Sequence, residues 1–254
     1  MVDEELSRRD ETTSRIKLHL SQYLREALDK QIKAHGRASI LTLSSSSTIS
    51  STLLDAATLF GVPLDLRILE SRPNCEGVSL AKKLMQSSLT KGEGDQKLRI
   101  TLYTDASAAV AAADEAGVGA IILGADRINA NGDVSNKTGS LPAVLSARYA
   151  SPGVKVVVLS DTEKVAGPGA PEEHVVEDND PREVTGAWDH LGLKEGREFL
   201  ASQESVRVRN VYFEWVPADL IDAYVTEKGC WLTDDIVQMS DWVGKASDRF
   251  FKDL

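Results

Sequence analysis

The chain has 254 residues, of which 42% are hydrophobic and 27% charged, a balance typical of a folded globular protein rather than a disordered or collagen-like one. With 39 acidic and 29 basic residues it carries a formal net charge of −10, which repels nucleic acids and acidic membrane surfaces. We therefore expect no direct nucleic-acid partner and no membrane association.

Targeting and metal-binding patterns are absent from the sequence. Its longest apolar runs are less than half of the roughly 20 residues that a membrane-spanning helix needs. The charged N-terminal segment is not followed by an apolar core, so no secretory signal is expected. The two cysteines, Cys75 and Cys230, are too few for a disulfide framework and lack metal-ligand spacing. This cysteine content predicts a reducing compartment, and we expect it to be the cytoplasm. Metal-ligand spacing is also missing among the four histidines, His19, His35, His174 and His190. We therefore expect neither a metal nor another cofactor.

The first predicted element is one amphipathic helix from Glu5 to about Ala34. Charged residues separate its apolar positions, and no Gly or Pro occurs before Gly36. Its apolar stripe recurs every four residues: Leu20, Leu24, Leu28 and Ile32. Such a helix must bury its stripe, either against the chain that follows or against a partner subunit.

After Gly36, short apolar runs rich in β-branched residues alternate with helical patterns. The runs are Ser39–Leu43, Leu64–Leu69, Leu98–Tyr103, Ala120–Gly124 and Val154–Leu159. The helical patterns are Thr48–Phe60, Val78–Leu89, Ser107–Ala116 and Leu141–Ala150. This alternation predicts an α/β fold, a Rossmann-like doubly wound parallel sheet preceded by one long N-terminal helix. We expect the helix to occupy residues 1–36 and the Rossmann-like domain residues 37–254.

The remaining segments are predicted from turn and cap patterns. Lys91–Gln96 and Ala166–Pro171 are rich in Gly, Pro or charge and are interpreted as surface loops within the domain. In the tail we expect a strand at Val206–Trp215, then a helix that begins at Pro217–Asp219 and ends at Gly229.

A run of four hydroxyl residues follows the first predicted strand and opens a helix. In a doubly wound sheet, ligands bind beyond the carboxyl ends of the strands, so this run lies where an anion could be held by helix amides and hydroxyls. Ordinary N-capping is the alternative, since no GxGxxG motif or Walker lysine is present. The four residues are Ser44, Ser45, Ser46 and Ser47.

The fourth predicted strand is followed directly by Asp126. Burial and neighbouring charges at this position would set the pKa of the carboxylate as a general base requires. Asn136 and Lys137 offer an amide and an ammonium group for substrate hydroxyls and a phosphate, and the tight-turn pair Asn131–Gly132 is expected to fold them back toward Asp126. The alternative is a capped turn with a surface ion pair between Asp126 and Lys137.

Arg72 and Pro73 stand at the end of the second predicted strand. Arg72 is suited to clamp a phosphate or to pair with a neighbouring carboxylate such as Glu76. Cys75 has only Arg72 as a nearby basic residue in sequence, so we interpret it as a small buried residue rather than a nucleophile.

Three groups of residues together resemble one known family. They are Glu70-Ser71-Arg72-Pro73 with Glu76-Gly77; Gly124-Ala125-Asp126-Arg127-Ile128 with Asn131-Gly132-Asp133 and Asn136-Lys137-Thr138-Gly139-Ser140; and Val216-Pro217-Ala218-Asp219-Leu220-Ile221 with Thr226-Glu227-Lys228-Gly229. From about Ser39 to Trp231 the chain resembles the family of methylthioribose-1-phosphate isomerase, ribose-1,5-bisphosphate isomerase and the α, β and δ regulatory subunits of eukaryotic translation initiation factor 2B.

This resemblance implies dimerisation through a Rossmann-like domain and a phosphosugar-sized pocket at the strand ends. In the isomerases, a Cys after the first strand and the Asp of the Gly-Ala-Asp motif move protons between carbons 1 and 2 of an aldose phosphate. Asp126 matches that Asp, and Asn136 and Lys137 match the substrate-binding pair. Ser44 stands where the Cys is expected, and a hydroxyl is a far weaker acid than a thiol of pKa about 8.5.

Two further positions depart from the isomerase pattern. Glu76 stands where the isomerases usually have Gln and where the initiation-factor subunits often have Glu, and it adds negative charge beside a bound phosphate. The isomerases also carry an Arg-Gly-Ala phosphate loop in a helical N-terminal domain. Here one predicted helix precedes Ser39, and the resemblance implies that it is a remnant of that domain.

The leading interpretation of the sequence is a regulatory or assembly protein similar to initiation factor 2B, with a retained phosphosugar or nucleotide pocket and weak or no isomerase chemistry. The alternative is an aldose–ketose sugar-phosphate isomerase that uses Asp126 as its base and Ser44 or a water as acid partner. A third hypothesis is an interaction module with an empty pocket. A homodimer is the expected assembly, alone or within a larger complex of related subunits. The expected ligand contacts are Ser45, Ser46, Ser47, Arg72, Glu76, Asn136 and Lys137.

Overall fold

The computed structural model describes residues 2–59, 61–90, 97–115, 117–169 and 177–251, with side chains described between Arg8 and Phe250. Its strands are β1 (Ala38–Leu43), β2 (Leu64–Leu69), β3 (Leu98–Tyr103), β4 (Ala120–Leu123), β5 (Arg127–Ile128), β6 (Val134–Lys137), β7 (Lys155–Leu159), β8 (Phe213–Val216), β9 (Ala223–Thr226) and β10 (Gly229–Trp231). Its α-helices are α1 (Val2–Ala27), α2 (Asp29–His35), α3 (Ser47–Leu59), α4 (Glu76–Thr90), α5 (Ala108–Ala113), α6 (Ser140–Ala150), α7 (Arg182–His190), α8 (Lys194–Ala201) and α9 (Thr233–Phe251). None of these helices is long and apolar enough to span a membrane.

The central sheet has seven strands in the order β10-β9-β7-β4-β1-β2-β3. All neighbours pair in parallel except β10, which forms an antiparallel hairpin with β9. After β1 the chain adds β2 and β3 on one side and then crosses to add β4 and β7 on the other. This reversal places a ligand crevice at the carboxyl ends of β1 and β4. The predicted doubly wound α/β fold is confirmed.

Both faces of the sheet are covered, which explains why β1 and β4 are largely apolar, whereas β2 carries the buried charged residues Asp65 and Arg67. Every residue of β1, β2 and β4 is buried. On one face the core joins the sheet to α1, α3 and α4, and on the other to α5, α6 and the beginning of α9. The small antiparallel sheet β5-β6-β8 lies beyond the carboxyl end of β4.

The N-terminal segment forms two helices where one was predicted. The turn at Leu28 separates α1 from α2, although hydrogen bonds from Leu28 N to Leu24 O (3.0 Å) and from Ile32 N to Leu28 O (2.9 Å) continue the helical spacing across it. Leu20, Leu24 and Leu28 are at most 1% exposed and pack in the core beside α3. The apolar stripe is therefore buried against the chain that follows it, which is the first of the two possibilities given by the sequence.

The tail contradicts the sequence prediction in two places. The strand predicted at Val206–Trp215 is confined to β8, and the helix predicted from Pro217 to Gly229 is only a 3-10 turn at Ala218–Leu220. The chain then joins the central sheet, because Asp222 N bonds to Val156 O at 2.8 Å and β9 pairs with β7. Tyr224 and Val225 are fully buried there, so tertiary pairing overrides the helix-start pattern. The loop predicted at Lys91–Gln96 lies outside the described residues, as does the end of the one at Ala166–Pro171.

Candidate functional site

A cavity of about 1440 Å³ opens at the carboxyl edge of the central sheet, beside the point where the strand order reverses. It is enclosed by the loops after β1, β4 and β7, by β6, and by residues of α1 and α9. Eight of the nine residues predicted from sequence line it: Ser44, Ser45, Ser46, Ser47, Glu76, Asp126, Asn136 and Lys137. Chain segments far apart in sequence thus meet at one site.

Ser44 occupies the end of β1 in an unusual backbone conformation. Its φ is +66°, a region that non-glycine residues adopt only when the surroundings hold them there. Ser44 N donates a hydrogen bond of 2.7 Å to the buried Ser71 Oγ, and Ser44 Oγ donates one of 2.8 Å to Glu76 Oε2. The hydroxyl is therefore oriented toward Glu76 rather than used as a helix cap.

Glu76 is the first residue of α4, and Gly77 allows this helix to begin so close to the sheet. A Cβ at position 77 would lie 1.9 Å from Leu69 O, the last carbonyl of β2, so no other residue fits without a backbone shift. Glu76 Oε1 pairs with Lys137 Nζ at 3.0 Å. The close approach of α4 thus places one carboxylate between the Ser44 hydroxyl and the Lys137 ammonium.

Lys137 and Asn136 are adjacent on β6, and both are largely buried. The Lys137 side chain is 10% exposed, and its ammonium lies 4.4 Å from the ring centre of Tyr212 and 5.3 Å from that of Phe213. Asn136 Nδ2 donates to Ser140 Oγ at 2.9 Å. These contacts fix an amide and an ammonium group at the cavity wall.

The hairpin β5–β6 brings Asp126 to the same wall. Asp126 N bonds to Ser135 O at 2.9 Å, and the turn closes at Gly132, whose φ is +95°. The return of Asn136 and Lys137 toward Asp126, predicted from the Asn131–Gly132 pair, is confirmed. The burial expected for Asp126 is not found, because this side chain lies past the end of the strand and is exposed.

Arg72 lies apart from the cavity. It is exposed and is not among the described residues that line the cavity. Its backbone N donates to Asp105 Oδ2 at 2.7 Å, and its Nη1 lies 3.9 Å from Cys75 Sγ. Cys75 is only half-buried, in contrast to the buried residue expected from sequence.

Asp161 is a cavity residue that was not predicted, although it follows β7 at the ligand-binding edge of the sheet. Burial raises the pKa of its carboxyl, with further contributions from Glu163 and Glu227, and the charge of Lys164 opposes them. Its Oδ1 has no hydrogen-bond partner among the described residues. Asp161 is therefore a second carboxyl group suited to holding a proton in the cavity.

Helix α1 also contributes to the cavity, which the sequence prediction did not foresee. Arg9, Thr12, Thr13 and Ile16 line it at helical spacing and continue the buried stripe toward the N-terminus. Extending the periodic stripe back from Leu20 would have found these positions. Arg8 lines the same opening and pairs with Glu163 at 2.7 Å.

A sequence profile of the Initiation factor 2 subunit family matches residues 3–233, so the chain belongs to this family. Among its relatives is the methylthioribose-1-phosphate isomerase of Aspergillus terreus, 30% identical over 236 residues that cover 90% of this chain and 61% of the relative. The enzyme of the same name from Geobacillus kaustophilus is 36% identical over 172 residues, 66% of this chain and 42% of the relative. The chain thus spans about three fifths or less of the length of these relatives.

Two solved structures from Pyrococcus horikoshii share the fold. The translation initiation factor eIF-2B superposes with a TM-score of 0.66 at 22% identity, covering 92% of this chain and 69% of that one. The 5-methylthioribose 1-phosphate isomerase superposes with a TM-score of 0.64 at 20% identity, covering 93% of this chain and 59% of that one. At these identities the likeness establishes the fold alone.

Proposed function

We propose that this member of the family is an aldose–ketose isomerase that acts on a five-carbon sugar 1-phosphate in the cavity, with methylthioribose 1-phosphate as the first substrate to test. The observation that carries the proposal is that Ser44, Asp126, Asn136 and Lys137 line one cavity at the switch point of the sheet. The names of the relatives support this function better than a purely regulatory one.

The reaction needs a base that can reach two neighbouring carbons. Asp126 suits this role because its backbone is fixed by the β5–β6 hairpin while its carboxylate is exposed to the cavity. Asn136 and Lys137, on the strand paired with β5, would hold the sugar hydroxyls beside it. A base placed in this way contributes about 10²- to 10⁴-fold to the rate.

The cavity also offers groups for the phosphate. Helix α3 begins at its edge with Ser45, Ser46 and Ser47, and a helix N-terminus favours an anion. Cationic residues are balanced by acidic ones at the same opening, so we expect binding that is weak and sensitive to salt. The cationic lining residues are Arg8, Arg9, Lys137, Lys164 and Lys228, and the acidic ones are Glu76, Asp126, Asp161, Glu163 and Glu227.

A second candidate function is a regulatory pocket that binds a phosphosugar or nucleotide without converting it. Two observations favour it: Ser44 stands where the resemblance places a thiol, and the Lys137 ammonium is already paired with Glu76. The cavity, at about 1440 Å³, also exceeds the roughly 300–1,000 Å³ of most small-molecule sites, so it has room for a nucleotide.

One experiment separates the two functions. The unmodified protein is incubated with methylthioribose 1-phosphate, ribose 1,5-bisphosphate and ribose 5-phosphate, and ketose formation is followed, while thermal shift is measured with these sugars and with nucleoside monophosphates. Ketose formation supports the isomerase. A thermal shift without ketose supports the regulatory pocket, and the absence of both contradicts the site.

Lys137→Met is expected to raise KM by about 10- to 100-fold, because a hydrogen bond to a charged group contributes about 1.5–3 kcal/mol. Methionine keeps the apolar stem that packs on Tyr212 and Phe213. Steady-state kinetics and ligand-induced thermal shift measure the change. The control is Lys33→Met, whose ammonium pairs with Asp29 on an exposed turn of α2. An unchanged KM in Lys137→Met would mean that the substrate binds elsewhere.

We also propose a cytoplasmic homodimer, following the family resemblance. Light scattering at micromolar concentration is expected to give about twice the chain mass of 27.5 kDa. A mass equal to one chain would contradict this assembly.

A further inference from the structure

We propose that Ser44, oriented by Glu76, performs the second proton transfer of the isomerisation, in the place where the resembling isomerases have a thiol. This inference rests on the proposed isomerase function. The two departures from the isomerase pattern, Ser44 and Glu76, touch each other through the hydrogen bond of 2.8 Å, so they form one unit rather than two separate losses.

The position of Ser44 is fixed through its backbone N and through its side chain. Its φ of +66° is held by the bond from its N to Ser71 Oγ, and Ser71 is itself 1% exposed and donates from its own N to Asp105 Oδ1 at 2.8 Å. Ser44 Oγ is thereby held against Glu76 in the cavity that Asp126 also lines. A rigid backbone of this kind is what a proton-transfer group needs.

Glu76 supplies what a serine lacks. A hydroxyl alone is a poor acid and base, but a hydroxyl that donates to a carboxylate can accept a proton from the substrate while it passes its own to that carboxylate. The other carboxylate oxygen, Oε1, is paired with Lys137 Nζ at 3.0 Å, which keeps Oε2 directed at Ser44. A thiol ionises far more readily and needs no such partner.

The proton transfers balance with these residues. In the ring form of the sugar 1-phosphate, the bond between C1 and the ring oxygen breaks, and that oxygen gains a proton. Asp126 removes the proton from C2 and returns it to C1, and the 2-hydroxyl loses its proton as C2 becomes a carbonyl. Ser44 takes this last proton as it passes its own to Glu76, and the ring oxygen takes its proton from water in the cavity, to which Glu76 returns one after each turnover. C1 is reduced and C2 oxidised within one molecule, so no external oxidant is required.

Kinetics of three variants test the inference. Ser44→Ala and Glu76→Gln are each expected to lower kcat by about 10²-fold or more, because both remove the same step. KM is expected to stay within about threefold in Ser44→Ala, and to stay or fall in Glu76→Gln, which removes a negative charge beside the phosphate. The double variant Ser44→Ala/Glu76→Gln is expected to be no slower than the worse single variant, since residues that act as a unit are not additive.

The decisive variant is Ser44→Cys/Glu76→Gln. A thiol does not depend on the carboxylate, so kcat is expected to recover at least tenfold relative to Glu76→Gln alone, and its pH profile is expected to gain a dependence near the thiol pKa of about 8.5. Glu198→Gln, an exposed carboxylate on α8, is the matched control. Thermal unfolding of every variant identifies any that fails to fold.

The outcomes distinguish this inference from the proposed function. Turnover by the unmodified protein with an unchanged or higher kcat in Glu76→Gln would overturn the role of Ser44 and Glu76 and leave the isomerase intact. The same conclusion would follow if Asp161→Asn lost about 10²-fold in kcat while Ser44→Ala and Glu76→Gln did not. No turnover by the unmodified protein overturns both.

Discussion

Asp126→Asn is expected to lower kcat for ketose formation by about 10²- to 10⁴-fold, with KM changed little. The amide keeps the size of the side chain but cannot accept the proton from C2. Because this side chain is exposed and its position comes from the backbone bond between Asp126 N and Ser135 O (2.9 Å), the substitution should leave folding intact. Steady-state kinetics on the proposed substrate measure the loss.

The control for this variant is Asp219→Asn. Asp219 is an exposed carboxylate in the 3-10 turn at Ala218–Leu220 and does not line the cavity within the described residues. The kcat of the Asp219→Asn variant is expected to match that of the unmodified protein. Retention of kcat in Asp126→Asn would show that another group acts as the base.

Asp65→Ala is expected to destabilise the protein by about 3–5 kcal/mol, because it leaves a buried guanidinium without its counter-charge. Asp65 lies on β2 and is 1% exposed, and Arg67, on the same strand, is 2% exposed. Asp65 Oδ2 accepts from Arg67 Nη2 at 3.2 Å and from Ser39 Oγ at 3.2 Å, while Oδ1 accepts from Arg99 Nε at 2.7 Å. Urea unfolding of the two proteins measures the difference.

Two controls sharpen this test. Asp29→Ala removes the exposed i,i+4 partner of Lys33 and is expected to change stability by less than about 0.5 kcal/mol. Asp65→Ala/Arg67→Met removes the unpaired charge as well and is expected to recover much of the loss. A cost for Asp65→Ala no larger than that for Asp29→Ala would contradict the structural role of the buried pair.

The carboxyl group of Asp65 should also make the free energy of unfolding depend on pH. Burial alone would raise the pKa of Asp65, but the hydrogen bond from Arg99 and the charge of Arg67 outweigh it, so the pKa is lowered from 3.8. The stabilisation is therefore fully present above the unfolded-state pKa and is lost as pH falls through the folded-state value. Between pH 7 and pH 3, the urea midpoint of the unmodified protein should fall more steeply than that of Asp65→Asn.

The sheet could be predicted from sequence because buried parallel strands are continuous apolar runs. The strands predicted at Ser39–Leu43 and Ala120–Gly124 coincide within one residue with β1 and β4, which are largely apolar and fully buried. The structure of the tail could not be predicted from sequence. Strand β9 has only four residues and forms because it pairs with β7, a contact that no local pattern encodes. The turn at Ala218–Leu220 begins where the helix was predicted, and the sheet then captures the chain.

Residues of the candidate site could be predicted where a strand end or a turn determines the position of the side chain. The Asn131–Gly132 turn was sufficient to return Asn136 and Lys137 toward Asp126. Arg72 follows β2 at the expected edge of the sheet, but its side chain is exposed and does not line the cavity within the described residues, which its position in the sequence could not reveal. The contact between Ser44 and Glu76 depends on the approach of α4 to β2, which only the folded chain reveals.

A proton NMR time course of methylthioribose 1-phosphate with the unmodified protein tests the proposed isomerase activity directly. The C1 proton signal of the ring form is expected to disappear and signals of the ketose 1-phosphate to replace it, while Asp126→Asn leaves the spectrum unchanged. A spectrum that stays unchanged with the unmodified protein, under conditions where the same sugar phosphate raises its unfolding temperature, would contradict the isomerase and identify the cavity as a binding pocket without turnover.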